Sequence, residues 1–580
     1  MKKVRVLHRL SLWVVVSLLL TGAAFAQTKS AKIDALIQQY VANRQFNGSV
    51  LVADKGQVIF KKGYGLANME WNIPNAPDTK FRLGSITKQF TAMLIMQLVE
   101  KKKLSLTGKI TDYLPDYPKA TGDKITIHHL LTHTSGIPNY TNFPKFFETL
   151  SRDPVTPESF TKEFSGKPLD FEPGTKFSYS NSGYFLLGTI IEKVTGKSYA
   201  DVLTENILKP AQMANTGYDL FSPILPKRAT GYEKKGSTYV NSPYLDMSIP
   251  YAAGSMYSTV EDLYRWDQVL YTDKLLSASG KATMYTPFID GYAYGWGVGK
   301  SKVGQVKDSL AILEHGGGIN GFNTIISRLP KDKQLVVLLN NTGGAPLNDI
   351  RKNILRILYD QPVEAPKMPI ADLLRQSVLS DPLEKTKQKF TAWKADKAYS
   401  VNENEINALG YELMREGKDK EALAVFNLNT DAFPESYNVY DSRGEIYMKM
   451  ANKAAAIQDY KRSVALNPRN TNGFAMLKEL GETVEVPKQE GVVVDKATLE
   501  SYVGDYQLAP GFSIVITREG DKLYGQATGQ GRFELFPESK TKFYLKVVEA
   551  QVSFVSNDKG EVEQLILHQN GQNMPGKRLR

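Results

Sequence analysis

The sequence predicts a multidomain α+β protein: an antiparallel sheet flanked by helices, then an all-helical segment, then a small antiparallel β-barrel-like domain. Three observations predict it. An amphipathic helical run is followed at once by a hairpin pattern, GSVLVA and QVIFKK about a DKG turn, over residues 47–62. Between 404 and 480, small and aromatic residues recur at a spacing of 34 residues. From Val493 onward, short alternating runs are separated by turn residues. The chain has 580 residues, 42% hydrophobic and 23% charged. That length suits about three or four domains and at least one large core.

In chain order, Lys2, Lys3, Arg5 and Arg9 form a basic start, and Leu10 to Leu20 is an apolar run too short to favour a membrane span. Ala24-Phe25-Ala26 then offers small residues for cleavage. Residues 1–26 are therefore read as a signal peptide cut before Gln27. The mature chain is expected to be exported, periplasmic or secreted, with no transmembrane segment. Loss of the four leader charges lowers the formal net charge from +11 to +7. This mild excess, with no basic cluster, excludes a nucleic-acid groove. The chain has no cysteine, so disulfides and thiolate metal sites are excluded.

Ala31 to Asn43 reads as a helix with Ile33, Leu36, Ile37, Tyr40 and Val41 on one side. After the hairpin comes FRLGSITKQFTAMLIMQLVE, Phe81 to Glu100. Gly84 and Ser85 signal a helix start, and the wide apolar belt that follows suits a helix buried on most sides. Ser85 and Lys88 stand at i and i+3 and share a face. A hydroxyl beside an amine in a buried site makes a nucleophile, because desolvation lowers the amine pKa and the neutral amine takes the serine proton. Free N–H groups at the same helix end suit an oxyanion. Ser-x-x-Lys also occurs at Ser159/Lys162 and Ser556/Lys559, so the downstream segments must choose among the copies.

The run ITIHHLLTHTSGIP holds His128, His129 and His133. His129 and His133 have metal-ligand spacing, but no glutamate lies between them and no third ligand is evident. No metal and no cofactor is expected, and the run reads as a helix ending in the turn His133-Thr134-Ser135-Gly136. FEPGTKFSYSNSGY follows, a short turn feeding a buried helix over Tyr184 to Val194. Tyr-x-Asn occurs at Tyr140, Tyr179 and Tyr239, and the Tyr179 copy has the most constrained setting. A tyrosine near an ammonium group has a depressed pKa and acts as a base. AAGSMYSTVEDLYRW reads as a turn and a helix capped by Ser258 or Thr259. Tyr292 to Val298 and Ala311 to His315 are strand-like, and Thr324 to Asn341 reads as a hairpin about Pro330-Lys331-Asp332. His315-Gly316-Gly317-Gly318 stands between them; strand glycines admit another backbone or a ligand, and the Gly318 N–H is placed to face Ser85. The same HGGG would suit a nucleophile-elbow hydrolase, but Gly-x-Ser-x-Gly is absent from the sequence.

Together, SITK, HHLLTHTSGIP, FEPGTKFSYSNSGY, AAGSMYSTVEDLYRW, YGWG and EHGGGINGF, in that order over about residues 30–345, resemble the β-lactamase-related serine hydrolases. That family holds class C β-lactamases, low-molecular-weight penicillin-binding proteins, D-aminopeptidases and some esterases. The resemblance implies a β-lactamase-like α/β sandwich over residues 27–360. It implies Ser85 as nucleophile, Lys88 as its proton partner and Tyr179 as general base. Asn181 would position Lys88 and a substrate amide, His315 and Gly317 would bind substrate, and the N–H groups of Ser85 and Gly318 would form the oxyanion hole. The reaction would be acyl transfer through an acyl-serine, on a peptide, amide or ester that is cell-wall-derived or contains a D-amino acid. Class C β-lactamases carry Lys-Thr-Gly where this chain has His315-Gly316-Gly317. A neutral imidazole anchors a carboxylate less well than an ammonium, so D-peptidase or esterase action is favoured over efficient β-lactam hydrolysis.

Residues 361–403 read as a helical linker. In 404–480, Gly410 and Gly444, Ala422 and Ala456, Phe426 and Tyr460, and Pro434 and Pro468 are each 34 residues apart. That is the tetratricopeptide period, and the segment resembles two such repeats plus a closing helix over Asn472 to Leu480. They are read as a groove for a protein partner or as a rigid spacer. Residues 490–580 resemble the lipocalin-like C-terminal domains appended to such hydrolases. The competing functional class is a catalytically inactive penicillin-binding-like sensor that keeps the hydrolase shape and signals through its repeats.

Overall fold

The computed structural model describes residues 28–580 except 144–145, 148, 236–237, 469, 484–493, 510–511, 529–531, 546–549, 558–559, 570–571 and 580. The expected signal peptide, with its cut before Gln27, lies outside the described residues, as does Lys559 of the Ser556/Lys559 match.

A six-stranded antiparallel sheet organises the first part. Helix α1 (Lys29–Ala42) leads into β1 (Gly48–Asp54) and β2 (Gln57–Tyr64), and helices α2 (Thr87–Glu100) and α3 (Asn181–Thr195) follow. Strands β3 (Gly297–Ser301), β4 (Leu310–Ile319), β5 (Phe322–Leu329) and β6 (Gln334–Asn340) precede helix α4 (Leu347–Leu358). The spatial order is β3-β4-β5-β6-β1-β2, so the last strand formed pairs with the first, Val50 opposite Leu338. Alternation along the strands divides the sheet between two cores. Leu51, Ala53, Leu335, Val337 and Leu339 face α2 and α3, whereas Val50, Val52, Val336 and Leu338 face α1 and α4. Helix α2 is buried on nearly every side, from Thr87 through Leu98. Each large apolar side chain buried there contributes about 1.5–3 kcal/mol, which anchors the start of the helix and so the Ser85 turn.

Local readings differ from the sequence in instructive ways. Tyr292 to Trp296 is a loop, with the strand starting only at Gly297, because Gly295 turns there with its Cα against the carbonyl of Lys88. The histidine-rich run gives a helix of five residues, Ile127–Leu131, and the chain then leaves helical geometry at His133, whose φ is +57°.

Residues 361–403, read from sequence as a helical linker, hold two helices. Helices α5 (Ala371–Ser380) and α6 (Leu383–Ala395) bury Leu374 and Phe390 in one core with Ile406, Leu409, Leu413 and Val425 of α7 (Glu403–Arg415) and α8 (Asp419–Ala432). The next pair, α9 (Tyr437–Lys449) and α10 (Lys453–Leu466), is closed by α11 (Thr471–Glu479). The 34-residue spacing has a direct cause: a Cβ on Gly410 would lie 2.5 Å from the Phe426 ring, and one on Gly444 would lie 2.9 Å from the Tyr460 ring. The helices of each pair therefore cross at equivalent glycines. Asp372 on α5 joins this segment to the first part through Arg44 at 3.0 Å.

The C-terminal part is a closed antiparallel barrel of eight consecutive strands, from β7 (Gly504–Ala509) to β14 (Gln572–Arg578), with those two paired to close it. Tyr506, Ile516, Phe543, Phe554 and Leu565 belong to its core. Among the described residues, no helix is long and apolar enough to cross a membrane.

Candidate active site

Ser85 lies in a 3₁₀ turn, Gly84–Ile86, that runs directly into α2. Two glycines let β4 press against it. Gly84 has φ +54°, and a Cβ there would lie 2.9 Å from both the N and the O of Gly318. A Cβ on Gly317 would lie 1.9 Å from the Leu83 carbonyl oxygen, which already accepts from Thr324 Oγ1 at 2.7 Å. The backbone of Gly317 and Gly318 is thereby held against the Ser85 turn.

Lys88 points back along α2 to Ser85. Its Nζ lies 3.1 Å from Ser85 Oγ, 2.8 Å from Asn181 Oδ1 and 2.9 Å from the Ala253 carbonyl. The side chain is fully buried, and burial holds its pKa well below that of an ordinary lysine. A neutral amine fits these partners: two N–H bonds donate to Asn181 Oδ1 and Ala253 O, and the lone pair accepts the Ser85 O–H. Asn181 is the first residue of α3, behind the Ser180 cap, and its N–H donates to Asn139 Oδ1 at 3.1 Å.

Tyr179 completes the cluster, its ring 4.7 Å from Lys88 Nζ. The expected depressed phenol is reversed. Burial raises its pKa, and the Ser85 hydroxyl facing it lowers it only in part. Its hydroxyl has no hydrogen-bond partner of normal length among the described residues. With the lysine neutral there is no full positive charge beside it, so desolvation prevails.

His133, read from sequence as part of a turn, brackets Tyr179. Its carbonyl accepts the Ser178 N–H at 2.8 Å, its Nδ1 accepts the Ser180 N–H at 3.1 Å, and its ring lies 4.2 Å from the Tyr179 ring. The available signal was a histidine placed where the chain must turn with positive φ.

His315 stands beside the cluster with both nitrogens engaged. Nδ1 is 2.6 Å from the Gly316 carbonyl, which requires N–H there, so Nε2 accepts from the Tyr292 hydroxyl at 2.9 Å. Burial, and then the neighbouring Lys88, pushes its pKa down to about 4. The imidazole is thus neutral at neutral pH and already bonded within the protein, which leaves it without a free nitrogen for a substrate. Gly316, by contrast, has nothing nearer than 3.7 Å to an added Cβ.

The copies at Ser159, Tyr140 and Tyr239 serve structure. Ser159 completes the capping box of the helix Pro157–Ser165, its Oγ accepting the Thr156 N–H at 3.0 Å. Tyr140 is buried and donates to the Ile249 carbonyl at 3.3 Å, and Tyr239 lies in a short hairpin. The three histidines of the HHLLTH run do not converge: His128 meets the Tyr294 hydroxyl, and His129 Nδ1 accepts the N–H of Thr126, the cap of its own helix, at 3.3 Å. Ser85 and Asn181 open onto a cavity of about 380 Å³, and Tyr179 and His315 onto an adjoining one of about 540 Å³.

Comparison with known proteins gives concordant results. The β-lactamase family model matches residues 33–361, and a family described as Domain of unknown function (DUF3471) matches 488–578. The chain is similar to Penicillin-binding protein 4* of Bacillus subtilis, 26% identical over 569 residues, covering 94% of this chain and 98% of that one. It is 31% identical over 337 residues to the putative penicillin-binding protein PbpX of the same organism, covering 58% of this chain and 81% of the relative. The structure of the octameric penicillin-binding protein homologue from Pyrococcus abyssi shares its fold over 94% of this chain and 99% of that one, at TM-score 0.50 and 21% identity.

Proposed function

The chain belongs to the β-lactamase family, and from that premise we propose that it is an exported serine hydrolase that transfers the acyl group of a peptide, amide or ester through an acyl-serine. The observation that carries this reading is the Lys88 amine, buried, its pKa held well below that of an ordinary lysine by desolvation, and 3.1 Å from the Ser85 hydroxyl. Ser85 Oγ attacks the carbonyl carbon while its proton passes to Lys88 Nζ. The oxyanion is stabilised by the backbone N–H groups of Ser85 and Gly318. The carbon–nitrogen or carbon–oxygen bond then breaks, and the leaving amine or alcohol takes the proton through the neutral Tyr179 phenol. Water hydrolyses the acyl-serine along the same proton route. Asn181 keeps the Lys88 amine aimed at Ser85.

The substrate class is a D-amino-acid-containing or cell-wall-derived peptide, or a small ester. Efficient β-lactam hydrolysis is not expected, because the imidazole of His315 is neutral and internally bonded where a carboxylate would need a cation. The helix pairs are read as tetratricopeptide repeats that present a surface to a protein partner, and the terminal barrel as lipocalin-like. Export rests on the basic-apolar leader of residues 1–26.

Labelling with a fluorescent fluorophosphonate tests the nucleophile. The parent should label covalently and Ser85→Ala should not. Equal labelling of the two would remove Ser85 from the mechanism.

A further inference from the structure

The cavity that holds Ser85 carries one charged side chain among the described residues, Glu233. It stands on the short strand Tyr232–Lys235, which is anchored through Tyr232, the residue before it. The Tyr232 N–H donates to the Asn341 carbonyl at 3.0 Å, the Gly343 N–H donates to the Tyr232 carbonyl at 2.9 Å, and the Tyr232 hydroxyl donates to Glu70. Strand alternation sends Lys234 toward Asp372 on the helical segment, at 3.9 Å, and leaves Glu233 on the cavity side. No described residue gives the Glu233 carboxylate a hydrogen bond or an ion pair, and Gly343 lies beside it, a built Cβ falling at ordinary contact distance, 3.7 Å, from Glu233 Cγ. A second acceptor in the same cavity, Asn323 Oδ1, is buried and also without a described partner. The rest of the lining includes apolar and aromatic groups, Phe146, Leu245 and Ile249 among them. No described cation lines the cavity to offset the carboxylate, and His315 next door is neutral.

We propose that Glu233 is a specificity residue that binds a protonated amine on the substrate, so that the enzyme takes acyl compounds joining an apolar group to a cationic amine and disfavours those bearing a carboxylate. This rests on the hydrolase reading of the same cavity and names its substrate class. A carboxylate with no internal partner is strongly solvated until a ligand displaces its water, and an ammonium donor supplies both charge and hydrogen bonds in return. An alcohol of the same shape supplies at most one neutral hydrogen bond, and a carboxylate meets like charge.

The test uses the full chain and three matched probes: 3-phenylpropylamine, 3-phenylpropanol and 3-phenylpropanoate. Binding is measured by titration calorimetry, and protection of Ser85 from fluorophosphonate labelling reports the place of binding. The amine is expected to bind about ten- to a hundredfold tighter than the alcohol and to slow labelling, with the acid weakest. Glu233→Gln should bring the amine-to-alcohol ratio close to one, and Glu233→Lys should invert the order in favour of the acid. Equal binding of the three probes, or an amine preference that survives in Glu233→Gln, overturns the proposal. An amine preference that follows Glu233 while the label stays on in Ser85→Ala would instead sink the nucleophile assignment and leave the cation site standing.

Discussion

Lys88 sets stability against chemistry. In the unfolded chain a lysine titrates near about 10.4, whereas the folded protein holds this one well below its ordinary value by burial. Between the folded and unfolded values the unfolded chain binds the extra proton, so stability rises with pH, by up to about 1.4 kcal/mol per unit. The rise ends above about 10.4, where both states are neutral, and is absent below the folded value, where both are charged. Lys88→Met has no such group. The stability of the parent relative to Lys88→Met, from urea unfolding across neutral to alkaline pH, is expected to increase with pH. Parallel curves would mean that the amine is not buried neutral. The same substitution should slow acylation about 10²–10⁴-fold, because Ser85 loses its proton acceptor. His315 follows the same sign at lower pH. Its folded pKa of about 4 lies below the unfolded value, so stability it confers is lost on acidification from about 6.5 toward 4. His315→Gln should flatten that part of the stability profile.

At the scale of elements, the site is a contact between one turn and one strand. Neighbouring glycines of β4 make opposite demands. Gly317 has no room, since a Cβ would fall 1.9 Å from the Leu83 carbonyl, whereas the nearest atom to a Cβ on Gly316 is 3.7 Å away. Gly317→Ala must push β4 off the Ser85 turn and is expected to lower the melting temperature and abolish fluorophosphonate labelling. Gly316→Ala should fold and label like the parent, as judged by calorimetry and labelling rate. If the two behave alike, the strand does not sit against the turn as described. Sequence reading singled out Gly317 and Gly318, but for substrate and oxyanion binding, not for the lack of room that separates Gly317 from Gly316. That difference depends on which pleat of β4 faces Leu83, which is set by pairing with β5.

At the scale of the molecule, the described residues form separate cores: two about the large sheet, two in the helical segment and one in the barrel. In the barrel core Phe543 packs edge-on against the stacked pair Tyr502 and Phe554, with ring centroids 5.8 and 5.7 Å away. Phe543→Ala should cost about 3–5 kcal/mol in the barrel. Because no core is shared, it should shift only the barrel transition in calorimetry and leave the Ser85 labelling rate unchanged. A fall in labelling would show that the barrel supports the part that holds Ser85. The helical segment is tied differently. Its α5 and α6 share a core with the repeats, and Asp372 pairs with Arg44 of the first part.

The residues alone determined a great deal. Periodicity gave the hairpin, the buried helix after Ser85, the 34-residue helix pairs and the alternating strands of the barrel, because each is a local pattern of side chains along a chain of fixed geometry. Ordered motifs brought Ser85, Lys88, Tyr179 and Asn181 forward together. Only the tertiary structure decided what surrounds them. The Ala253 carbonyl on Lys88, the His133 brace behind Tyr179, the Tyr292 hydroxyl that occupies His315 and the unpartnered Glu233 come from segments far apart in sequence. The direction of the Tyr179 pKa was decided there too. Desolvation depends on everything packed around a group, and a one-dimensional pattern of neighbours does not contain it.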